Sequence, residues 1–419
     1  MQNHSLRKTS SQGIKSAVIL TPDRQIDRRI LLQADSLERH GWNVTILAMG
    51  LDSPATKEEP WVLRVGERAA TNHKVKINRF LLSYQFLRKS LPNNNAFVKY
   101  AKSLIAKHII DWEKFYLKIF FDAASQFSPN VFIAADLPML AVARKAAQRC
   151  GAKLIYDSHE LYTEQGFSER ERQQWISIEK KHIHACDAVI TVNDSIARIL
   201  EKTYALQKVE VILNATKVEG RTPVKTAIFH DAFQLSKDRK ILLFQGALFP
   251  GRNLDALIEA MHYVKDRSIA LIILGDGPVK SGLLNYARAN RLEDRVYFHA
   301  AVLQDRLPYY TEAADGGIIP YQGFCLNNYY CTPNKLFEFI SAALPILATD
   351  LPEIAKFVQS NKIGIVGNME SPIKIAALID SFFSAPTTLR EWRQNLMRVR
   401  QEISWEREEE KFIKIINNV

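Results

Sequence analysis

The stretch SAVILTPDRQIDRRILLQADSLERHGWNVTIL, residues 16–47, decides the fold class of this chain. It begins at residues 16–20 with a short apolar run of the kind that forms a buried strand. A helical pattern follows at about residues 28–40 and ends at Gly41, and a second strand-like run occupies residues 43–47. A strand, a helix and a strand in this order indicate a parallel α/β sheet.

The same alternation of short apolar runs and helical patterns continues along both halves of the chain. In the first half, strands are predicted at residues 131–134, 153–156, 188–191 and 209–213, with helices at 138–150 and 195–204. In the second half, strands are predicted at 240–244, 270–274, 296–298, 317–319 and 345–348, and residues 388–419 are helical by pattern. The sequence therefore predicts an α/β protein with two Rossmann-like, doubly wound parallel-sheet domains.

Weak periodicity, together with Gly220 and Pro223, predicts a linker between the two halves. We expect an N-terminal tail at residues 1–15, a first domain at 16–218, a linker at 219–236, a second domain at 237–387 and C-terminal helices at 388–419. Two such domains would leave a cleft between the carboxyl ends of their strands, where ligands of this fold class bind.

The composition is that of a soluble globular protein. Apolar residues make up 47% of the 419 residues and charged residues 24%, which excludes a disordered or fibrous chain. No apolar run reaches about 18 residues, so a membrane-spanning helix is not expected. The polar start lacks the apolar core of a secretion signal, and four scattered cysteines are too few for a disulfide framework, which favours the cytoplasm.

The net charge of +11 is concentrated in the first half of the chain. Residues 1–218 contain 32 Lys or Arg against 22 Asp or Glu, whereas the remainder contains 24 against 23. Any anionic partner is therefore expected to meet the first half.

Residues 74–118 hold much of this excess, and apolar side chains recur there every three or four residues, as in an amphipathic helix. Lys99, Lys107, Lys114 and Lys118 fall on the opposite side of that helix. The segment could lie on an anionic membrane surface or contact an anionic acceptor, or it could be a core-packed helix with a solvated lysine face. No nucleic-acid-binding motif accompanies the patch, so nucleic acid is not an expected partner.

Loops after two first-domain strands contain candidate site residues. The loop after the first strand lacks the Gly-x-Gly-x-x-Gly pattern of dinucleotide binding, which argues against a dehydrogenase. Arg24, Arg28 and Arg29 lie there at a helix start, where they would either attract an anion or be solvated. His159 directly follows a strand in the stretch YDSHELY, and a histidine there can donate a hydrogen bond to a substrate hydroxyl or transfer a proton.

The stretch TPNKLFE, residues 332–338, predicts an anion-binding helix start in the second half. We expect Thr332 to cap a helix that begins at Pro333, so that free N–H groups and the charge of Lys335 favour a diphosphate. Glu338, one turn later, would accept hydrogen bonds from a ribose diol, or it is an ordinary surface residue. Arg252 could clamp phosphate oxygens from the end of the loop that follows residues 240–244.

Gly275, Asp276 and Gly277 follow another second-half strand. Glycines in such a loop permit a tight turn and a close approach between the backbone and a ligand. The same pattern also marks ordinary turns, so by itself it predicts no particular ligand.

In their order along the chain, these motifs resemble the GT-B type retaining glycosyltransferases of family four, also described as group 1 glycosyl transferases. The similar blocks in the first half are residues 27–30, 157–160, 189–193 and 211–214. The similar blocks in the second half are residues 246–253, 274–278, 314–315, the long block PNKLFEFISAALP at 333–345, and 405–406. The resemblance covers nearly the whole chain and depends on the shared order of the motifs rather than on any one of them.

The resemblance implies a GT-B fold and the transfer of a sugar, with retention of anomeric configuration, from a nucleotide-sugar donor. It implies a glycan or lipid-linked acceptor, a role in surface polysaccharide or glycoconjugate biosynthesis, and work in the cytoplasm at the membrane face. The donor would bind the second domain and the acceptor the first, and the last helix would cross back to the first domain. No bound cofactor is implied.

The resemblance also implies roles for individual residues. Catalytic roles are implied for His159, Arg252 and Lys335. The implied donor-binding residues are Gly246, Arg252, Gly275, Asp276, Gly277, Val302, Tyr330, Pro333, Asn334, Lys335, Leu336 and Glu338. The residues expected on the acceptor side are Asp27, Arg28, Arg29 and Asp136. Among the donor residues, Glu338 would bind the ribose, the N–H groups of Lys335 and Leu336 would meet the diphosphate, and Val302 would border the base.

The chain departs from the family pattern at two positions. Tyr330 stands where the family often has a sugar-contacting glutamate eight residues before Glu338. Ala247 stands where a second basic residue is common. The first departure leaves the identity of the donor sugar open. No Asp-x-Asp motif occurs, so no bound metal ion is implied.

Two other functions remain compatible with the sequence. A nucleotide-sugar 2-epimerase would have the same two-domain shape but would need no acceptor, and the basic segment 74–118 argues mildly against it. A non-catalytic scaffold in a glycan assembly complex is favoured by the residues Tyr330 and Ala247. The presence of Glu338, Arg252 and His159 argues against that alternative.

Overall fold

The computed structural model describes residues 13–51, 60–65, 110–218 and 220–419. Within these residues the chain forms two compact units. The first comprises the described residues up to Thr191 together with Ala197–Glu210 and Phe412–Val419, and the second comprises Val192–Ile196 and Val211–Lys411. Each unit contains one β-sheet with helices packed against it, as the sequence predicts.

The first unit is built on a sheet of seven described strands in the order β3-β2-β1-β4-β5-β6-β7. The strands are β1 (Ser16–Thr21), β2 (Asn43–Met49), β3 (Val62–Val65), β4 (Val131–Ala135), β5 (Lys153–Ser158), β6 (Ala188–Thr191) and β7 (Glu210–Val211). β4 pairs in parallel with both β1 and β5. The loops after these three strands therefore leave the sheet at the same edge.

Helices alternate with the strands in this part of the chain. They are α1 (Arg28–Arg39), α2 (Trp112–Ala124), α3 (Leu137–Cys150), α4 (Glu169–His182) and α5 (Asp194–Tyr204). α1 begins where Asp27 accepts a hydrogen bond from the N–H of Arg29 (2.7 Å), and the chain turns after it at Gly41, whose φ is +82°. The apolar face of α1 is buried against the sheet through Ile30 and Leu37.

The second unit is built on a sheet of six described strands in the order β10-β9-β8-β11-β12-β13. The strands are β8 (Lys240–Gln245), β9 (Ile269–Leu274), β10 (Val296–His299), β11 (Gly316–Ile319), β12 (Ile346–Thr349) and β13 (Gly364–Gly367). β8 pairs in parallel with β9 and β11, so the loops after these three strands also share one edge. All six residues of β9 are buried, which explains its continuous apolar sequence.

The helices of the second unit cover this sheet and complete the chain. They are α6 (Ile228–Phe233), α7 (Leu254–Tyr263), α8 (Lys280–Ala289), α9 (Leu307–Glu312), α10 (Leu326–Tyr329), α11 (Asn334–Ser341), α12 (Pro352–Ser360), α13 (Pro372–Ser384), α14 (Pro386–Glu402) and α15 (Trp405–Asn418). α15 starts in the second unit and ends in the first.

Several elements differ from the sequence prediction. α11 begins at Asn334 with Pro333 as its N-cap residue, one position later than predicted, because the hydroxyl of Thr332 accepts a hydrogen bond from Asn193 Nδ2 (3.3 Å) instead of capping the helix. The strand predicted at residues 209–213 is reduced to β7, and the predicted linker contains α6. The short strands β3 and β13 were not predicted, since four residues give little periodicity.

The helix predicted within residues 74–118 is described only from residue 110 onward. There, Asp111 caps α2 by accepting a hydrogen bond from the N–H of Lys114 (3.0 Å), and Phe115 and Ile119 are buried. The rest of this segment lies outside the described residues, and its contact with an anionic surface stays a prediction. In the part of the chain that the structure describes, no helix is both long and apolar enough to cross a membrane.

A buried carboxyl group in α4 connects two tyrosines of the first unit. Glu179 is 2% exposed and accepts hydrogen bonds from the hydroxyls of Tyr156 (2.8 Å) and Tyr204 (2.6 Å). Burial raises the pKa of Glu179, although the two hydrogen bonds oppose that shift. Tyr156 lies in β5, so this contact helps to fix a strand whose end carries several charged residues.

Replacing Glu179 tests how much this contact stabilises the first unit. We expect Glu179→Ala to lower the free energy of unfolding by about 2–4 kcal/mol, because it removes the carboxylate acceptor of two buried hydroxyls and opens a cavity. Glu179→Gln should cost less than about 1 kcal/mol, since the amide can bond to both hydroxyls. Chemical denaturation of the two variants measures the difference, and an alanine variant as stable as the glutamine variant would contradict this account.

Candidate active site

The loops after β4 and β5 bring charged side chains of the first unit together. Asp136 follows β4, and Asp157 and His159 lie at the end of β5. The N–H of Asp136 donates to the carbonyl of Asp157 (2.9 Å), and the N–H of His159 donates to the carboxylate of Asp136 (2.9 Å). Arg29 reaches the same cluster from the first turn of α1. Three of the residues expected to contribute to catalysis or acceptor binding are therefore neighbours.

His159 lies between two carboxylates. Its Nε2 is 3.2 Å from Oδ2 of Asp157, its Nδ1 is 3.3 Å from Oδ2 of Asp136, and 13% of its side chain is exposed. Burial opposes the charged imidazole, but the two carboxylates outweigh burial and raise the pKa of His159 well above 6.5. His159 is therefore an imidazolium at neutral pH with both ring nitrogens facing carboxylates. This state suits electrostatic stabilisation and positioning better than general-base catalysis.

Asp157 is fully buried and is held by a bidentate contact with Arg29. The guanidinium of Arg29 donates from Nε (2.9 Å) and Nη2 (2.8 Å), and Nε2 of Gln33 donates as well (2.5 Å). Burial by itself would raise the pKa of Asp157, but the charges of Arg29 and His159 hold that pKa far below its usual range. Arg29 thus has a buried carboxylate partner within its own unit.

The backbone of Asp136 adopts a conformation that few residues other than glycine adopt. Its φ is 64° and its ψ is 164°, and it precedes α3 without capping that helix through its side chain. The carboxylate instead contacts His159, through the ring and through the main-chain N–H. Strained backbone of this kind persists where the surrounding structure determines it, and it is concentrated at functional sites.

The other acceptor-side candidates lie nearby on α1. The carboxylate of Asp27 caps the helix, and Arg28 is half-buried in its first turn. Asp23 lies in the loop after β1, and sequence reasoning missed it. Burial, followed by the charge of Asp136, raises the pKa of its carboxyl group to about 6. Its position after a strand end was the one signal available.

Glycines bring two loops of the second unit into close contact. A Cβ atom at Gly275 would lie 2.0 Å from the carbonyl oxygen of Gly246, and one at Gly277 would lie 2.2 Å from that of Leu248. The φ angles of Gly246 and Gly275 are +117° and +152°, which disfavour any residue with a side chain. The turns after β8 and β9 therefore require these glycines to pack together.

Two cations of the second unit surround one tyrosine. Nζ of Lys335 donates to the hydroxyl of Tyr321 (2.6 Å) and lies 4.5 Å from the ring centroids of Tyr321 and Phe244. The guanidinium of Arg252 lies 4.2 Å from the centroid of the Tyr321 ring. Among the residues that the structure describes, neither cation forms an ion pair with a carboxylate.

Burial and the neighbouring charge of Arg252 lower the pKa of Lys335 to about 7, although Glu338 and Cys331 oppose that shift. The buried ammonium is thus destabilised by the surroundings that hold it in place. An anion bound beside it would reverse this effect.

Glu338 is fixed by a buried amide. Nε2 of Gln245, at the end of β8, donates to Oε2 of Glu338 (2.6 Å), and the Thr311 hydroxyl donates to Oε1 of the same glutamine (2.9 Å). This chain of hydrogen bonds sets the orientation of the carboxylate at the edge shared by β8 and β11. The carboxylate geometry is compatible with the predicted acceptance of hydrogen bonds from a diol.

The remaining donor-side candidates differ in the contacts that they form. Asp276 forms an ion pair with Lys280 (2.9 Å), and Val302 is half-buried against the core. The carbonyl of Tyr330 accepts a hydrogen bond from Nδ2 of Asn193 (2.9 Å).

At the start of α11, Pro333 is the N-cap residue and Asn334 the first helical residue. The N–H of Leu336, expected to meet a diphosphate, donates to the carbonyl of Pro333 (2.9 Å). Lys335 lies between Asn334 and Leu336 in the first turn of α11.

Sequence reasoning missed Tyr321 and Gln245, which hold the cations and the carboxylate of this site. Both follow from strand position, because Gln245 ends β8 and Tyr321 comes just after β11. A polar residue that ends an otherwise apolar strand was the available signal. Across the described ranges, no group of three or more His, Cys, Asp or Glu side chains is arranged to hold a metal ion.

Comparisons with known proteins identify the family of the chain. Residues 26–219 match the family model described as Glycosyltransferase Family 4, and residues 226–398 match the model described as Glycosyl transferases group 1. TuaH of Bacillus subtilis, a glycosyltransferase named for teichuronic acid biosynthesis, is 25% identical over 257 residues. That alignment covers 59% of this chain and spans 63% of TuaH.

Two solved structures resemble the fold over almost the whole chain. Sucrose-phosphate synthase from Thermosynechococcus elongatus has a TM-score of 0.73 at 16% identity, covering 96% of this chain and 98% of its own. HepE of Anabaena, solved in complex with UDP, has a TM-score of 0.67 at 12% identity, covering 97% of this chain and 100% of its own. Both family models and the two-sheet fold lead to the same assignment: the chain is a GT-B glycosyltransferase of family 4, group 1.

Proposed function

We propose that this enzyme transfers a sugar, with retention of anomeric configuration, from a nucleotide-sugar donor to a hydroxyl of a glycan or lipid-linked acceptor. The observation that carries this proposal is the pair of cations Arg252 and Lys335 around Tyr321, with no carboxylate paired to either among the described residues. A diphosphate supplies the negative charge that such a pair requires.

The surroundings of the cations also favour a diphosphate. A Cβ atom at position 246 would lie 3.4 Å from Nζ of Lys335, so the absence of a side chain at Gly246 leaves space beside the ammonium. The first turn of α11 adds the positive end of a helix beside Lys335. The complex of HepE with UDP supports a nucleoside diphosphate as the ligand class for this fold.

Retention is proposed from the resemblance to the retaining glycosyltransferases, and the charge distribution of the second unit suits the departure of the diphosphate. As the bond between the anomeric carbon and the phosphate oxygen breaks, negative charge develops on the departing diphosphate, which Arg252 and Lys335 stabilise. The acceptor hydroxyl then forms its bond on the same face of the sugar, and the departing phosphate oxygen takes its proton. With side-chain cations at this position, we expect activity without an added metal ion or other cofactor.

The acceptor side is proposed to lie in the first unit, around His159 and Asp136. The name of TuaH, which concerns teichuronic acid, supports a role in surface polysaccharide or glycoconjugate biosynthesis. We expect the enzyme to work in the cytoplasm and to bind its nucleotide-sugar substrate there.

A thermal-shift panel of nucleoside diphosphates and nucleotide sugars tests the donor site first. A ligand at about 100 times its dissociation constant should add about 2.7 kcal/mol to the free energy of unfolding. A shift with one base identifies the nucleotide. No shift with any member of the panel would favour the scaffold over the enzyme.

Replacing the arginine tests the diphosphate clamp. We expect Arg252→Ala to weaken nucleoside diphosphate affinity by about 10- to 100-fold, the contribution of charge-assisted hydrogen bonds. Turnover should fall by about 100-fold or more, because the leaving group loses its stabilisation. Arg288→Ala, at an exposed position on α8, is the matched control and should behave like the wild type. Near-normal turnover of Arg252→Ala would refute the clamp.

The lowered pKa of Lys335 predicts a pH dependence of donor binding. A nucleotide sugar carries no phosphate group that titrates near neutrality, so the lysine dominates the titration at this site. Because bound diphosphate raises the pKa of Lys335 from about 7, binding takes up a proton, and affinity should fall by up to about tenfold per pH unit above 7.5.

Calorimetry at pH 8 in two buffers of different ionisation enthalpy measures this proton uptake. The uptake should disappear in Lys335→Met, whose side chain does not titrate. An equal uptake in that variant would assign the proton to another group.

Ribose recognition by Glu338 is tested with matched ligands. Glu338→Ala should weaken binding of the ribonucleoside diphosphate by about 10-fold or more, while the 2′-deoxy compound loses less, because its diol is incomplete. Isothermal titration of both ligands with both proteins gives the four affinities. An equal loss for the two ligands would show that Glu338 does not contact the 2′-hydroxyl.

A further inference from the structure

The last residue of β8 is a glutamine with no exposed surface. Gln245 ends the stretch KILLFQ, pairs with Leu274 of β9 and is 0% exposed. The four residues before it, 241–244, are buried and apolar. A buried primary amide lowers stability unless it is hydrogen-bonded, whereas an aliphatic side chain at the same position would carry no such cost. The contacts of this amide therefore indicate why a polar residue ends the strand.

The amide of Gln245 connects two helices to the sheet. Its Nε2 donates to Oε2 of Glu338 in α11 (2.6 Å), and its Oε1 accepts a hydrogen bond from the hydroxyl of Thr311 in α9 (2.9 Å). That hydroxyl also lies 2.9 Å from the carbonyl oxygen of Leu307. An ionised carboxylate only accepts hydrogen bonds, so the amide nitrogen, and not the amide oxygen, faces Glu338.

The three side chains of this hydrogen-bonded chain differ in exposure. Gln245 is 0% and Thr311 is 1% exposed, whereas Glu338 is half-buried. The two oxygens of a carboxylate together accept about four hydrogen bonds, so the bond from the amide is compatible with further bonds from a diol. Gln245 would therefore act on a ligand through Glu338 rather than by touching that ligand.

A fixed carboxylate binds a diol better than a flexible one. Glutamate has a flexible side chain, and ordering it at the moment of binding reduces affinity. The hydrogen bond from Gln245 orders the carboxylate of Glu338 before a ligand arrives, and Gln245 is itself held by β8 and by Thr311. A carboxylate ordered in this way discriminates between a ligand that completes its hydrogen bonds and one that lacks a hydroxyl.

We propose that Gln245 is a positioning residue that sets the preference of the donor site for ribonucleotides over 2′-deoxyribonucleotides, by holding the carboxylate of Glu338 against the ribose diol. This inference rests on the proposed function, in which Glu338 binds the ribose. Thr311 contributes by holding the amide in the orientation that presents its N–H groups to Glu338. All of these residues belong to the second unit, so binding alone tests the role.

The test compares two ligands on the full chain by isothermal titration. UDP and 2′-deoxy-UDP are the first pair, and the base selected by the thermal-shift panel replaces uracil where it differs. The ratio of the two dissociation constants isolates the 2′-hydroxyl, because both ligands share the base and the diphosphate. Gln245→Leu should lower the wild-type ratio by about fivefold or more, while affinity for the deoxy ligand changes by less than about twofold.

Two comparisons separate positioning from a structural role. Gln359→Leu, at an exposed position on α12, is the matched control and should keep the wild-type ratio. Adding Gln245→Leu to Glu338→Ala should change neither affinity by more than about twofold, because the residue through which Gln245 acts is already absent. An equal loss for both ligands in Gln245→Leu, or a further loss of ribonucleotide affinity in the double variant, would overturn the proposal.

Gln245→Glu keeps a polar side chain and tests the role if the leucine variant does not fold. Two ionised carboxylates at this distance repel, but a protonated one can donate to Glu338 as the amide does. We therefore expect the ratio in this variant to rise toward the wild-type value as the pH falls from about 8 to about 5.5. A ratio that does not change with pH would contradict the positioning role.

The wild type and Gln359→Glu are titrated over the same pH range as controls. Lys335 and Tyr321 interact electrostatically with Glu338, and the terminal phosphate of the ligand also titrates. These groups act on both ligands alike, so their effect should cancel in the ratio, which we expect to stay constant in the two controls.

The remaining outcomes distinguish this inference from the proposed function. A wild-type preference for the ribonucleotide that persists in Gln245→Leu removes the role of Gln245 and leaves the donor site intact. A wild type that binds both ligands equally removes the ribose role of Glu338 and the role of Gln245 with it. A wild type that binds no nucleotide removes the proposed function itself.

Discussion

The bidentate contact between Arg29 and Asp157 is the interaction on which the first candidate site depends. A carboxylate buried at the end of β5 would take up a proton unless a cation accompanied it. Arg29 supplies that cation through two parallel hydrogen bonds, so Asp157 stays ionised and helps to keep His159 charged. The imidazole of His159 contacts both Asp157 of this pair and Asp136, whose backbone is strained.

The second candidate site also contains a buried cation, but this cation forms no ion pair with a carboxylate among the described residues. Lys335 is 6% exposed and Arg29 is 3% exposed, yet the lysine has a neutral hydroxyl and two aromatic rings where the arginine has a carboxylate. Its pKa therefore falls to about 7, whereas Arg29 is held in a salt bridge. An anionic ligand would supply Lys335 with the neighbouring negative charge that Asp157 supplies to Arg29.

Much of the fold could be predicted from the sequence because parallel strands buried on both faces are continuous apolar runs. β8 and β9 have this character, whereas β13 is four residues bounded by glycines and gives no such pattern. Helix boundaries were less predictable where a residue distant in the sequence contacts the end of the helix. The N-cap of α11 shifted to Pro333 because Asn193 engages the hydroxyl of Thr332.

Residues of the candidate site could be predicted from the sequence where a residue type has one main chemical role. Arg252 and Lys335 stood out as cations in loops that follow strands or open a helix. Tyr321 and Asp23 did not, because their importance lies in what surrounds them. Tyr321 matters through its contacts with both cations, and the pKa of Asp23 is raised by burial and by the charge of Asp136. Neither relation has a local sequence signature.

Each of the two candidate sites contains a group whose charged form is disfavoured by its surroundings. The raised pKa of Asp23 and the lowered pKa of Lys335 each mean that the fold disfavours the charged form of the group. A protein selected only for stability or for binding a partner would gain by neutralising both positions. In the proposed function, the diphosphate that departs as an anion supplies the opposite charge that Lys335 lacks. Stability given up at Lys335 fits that proposal.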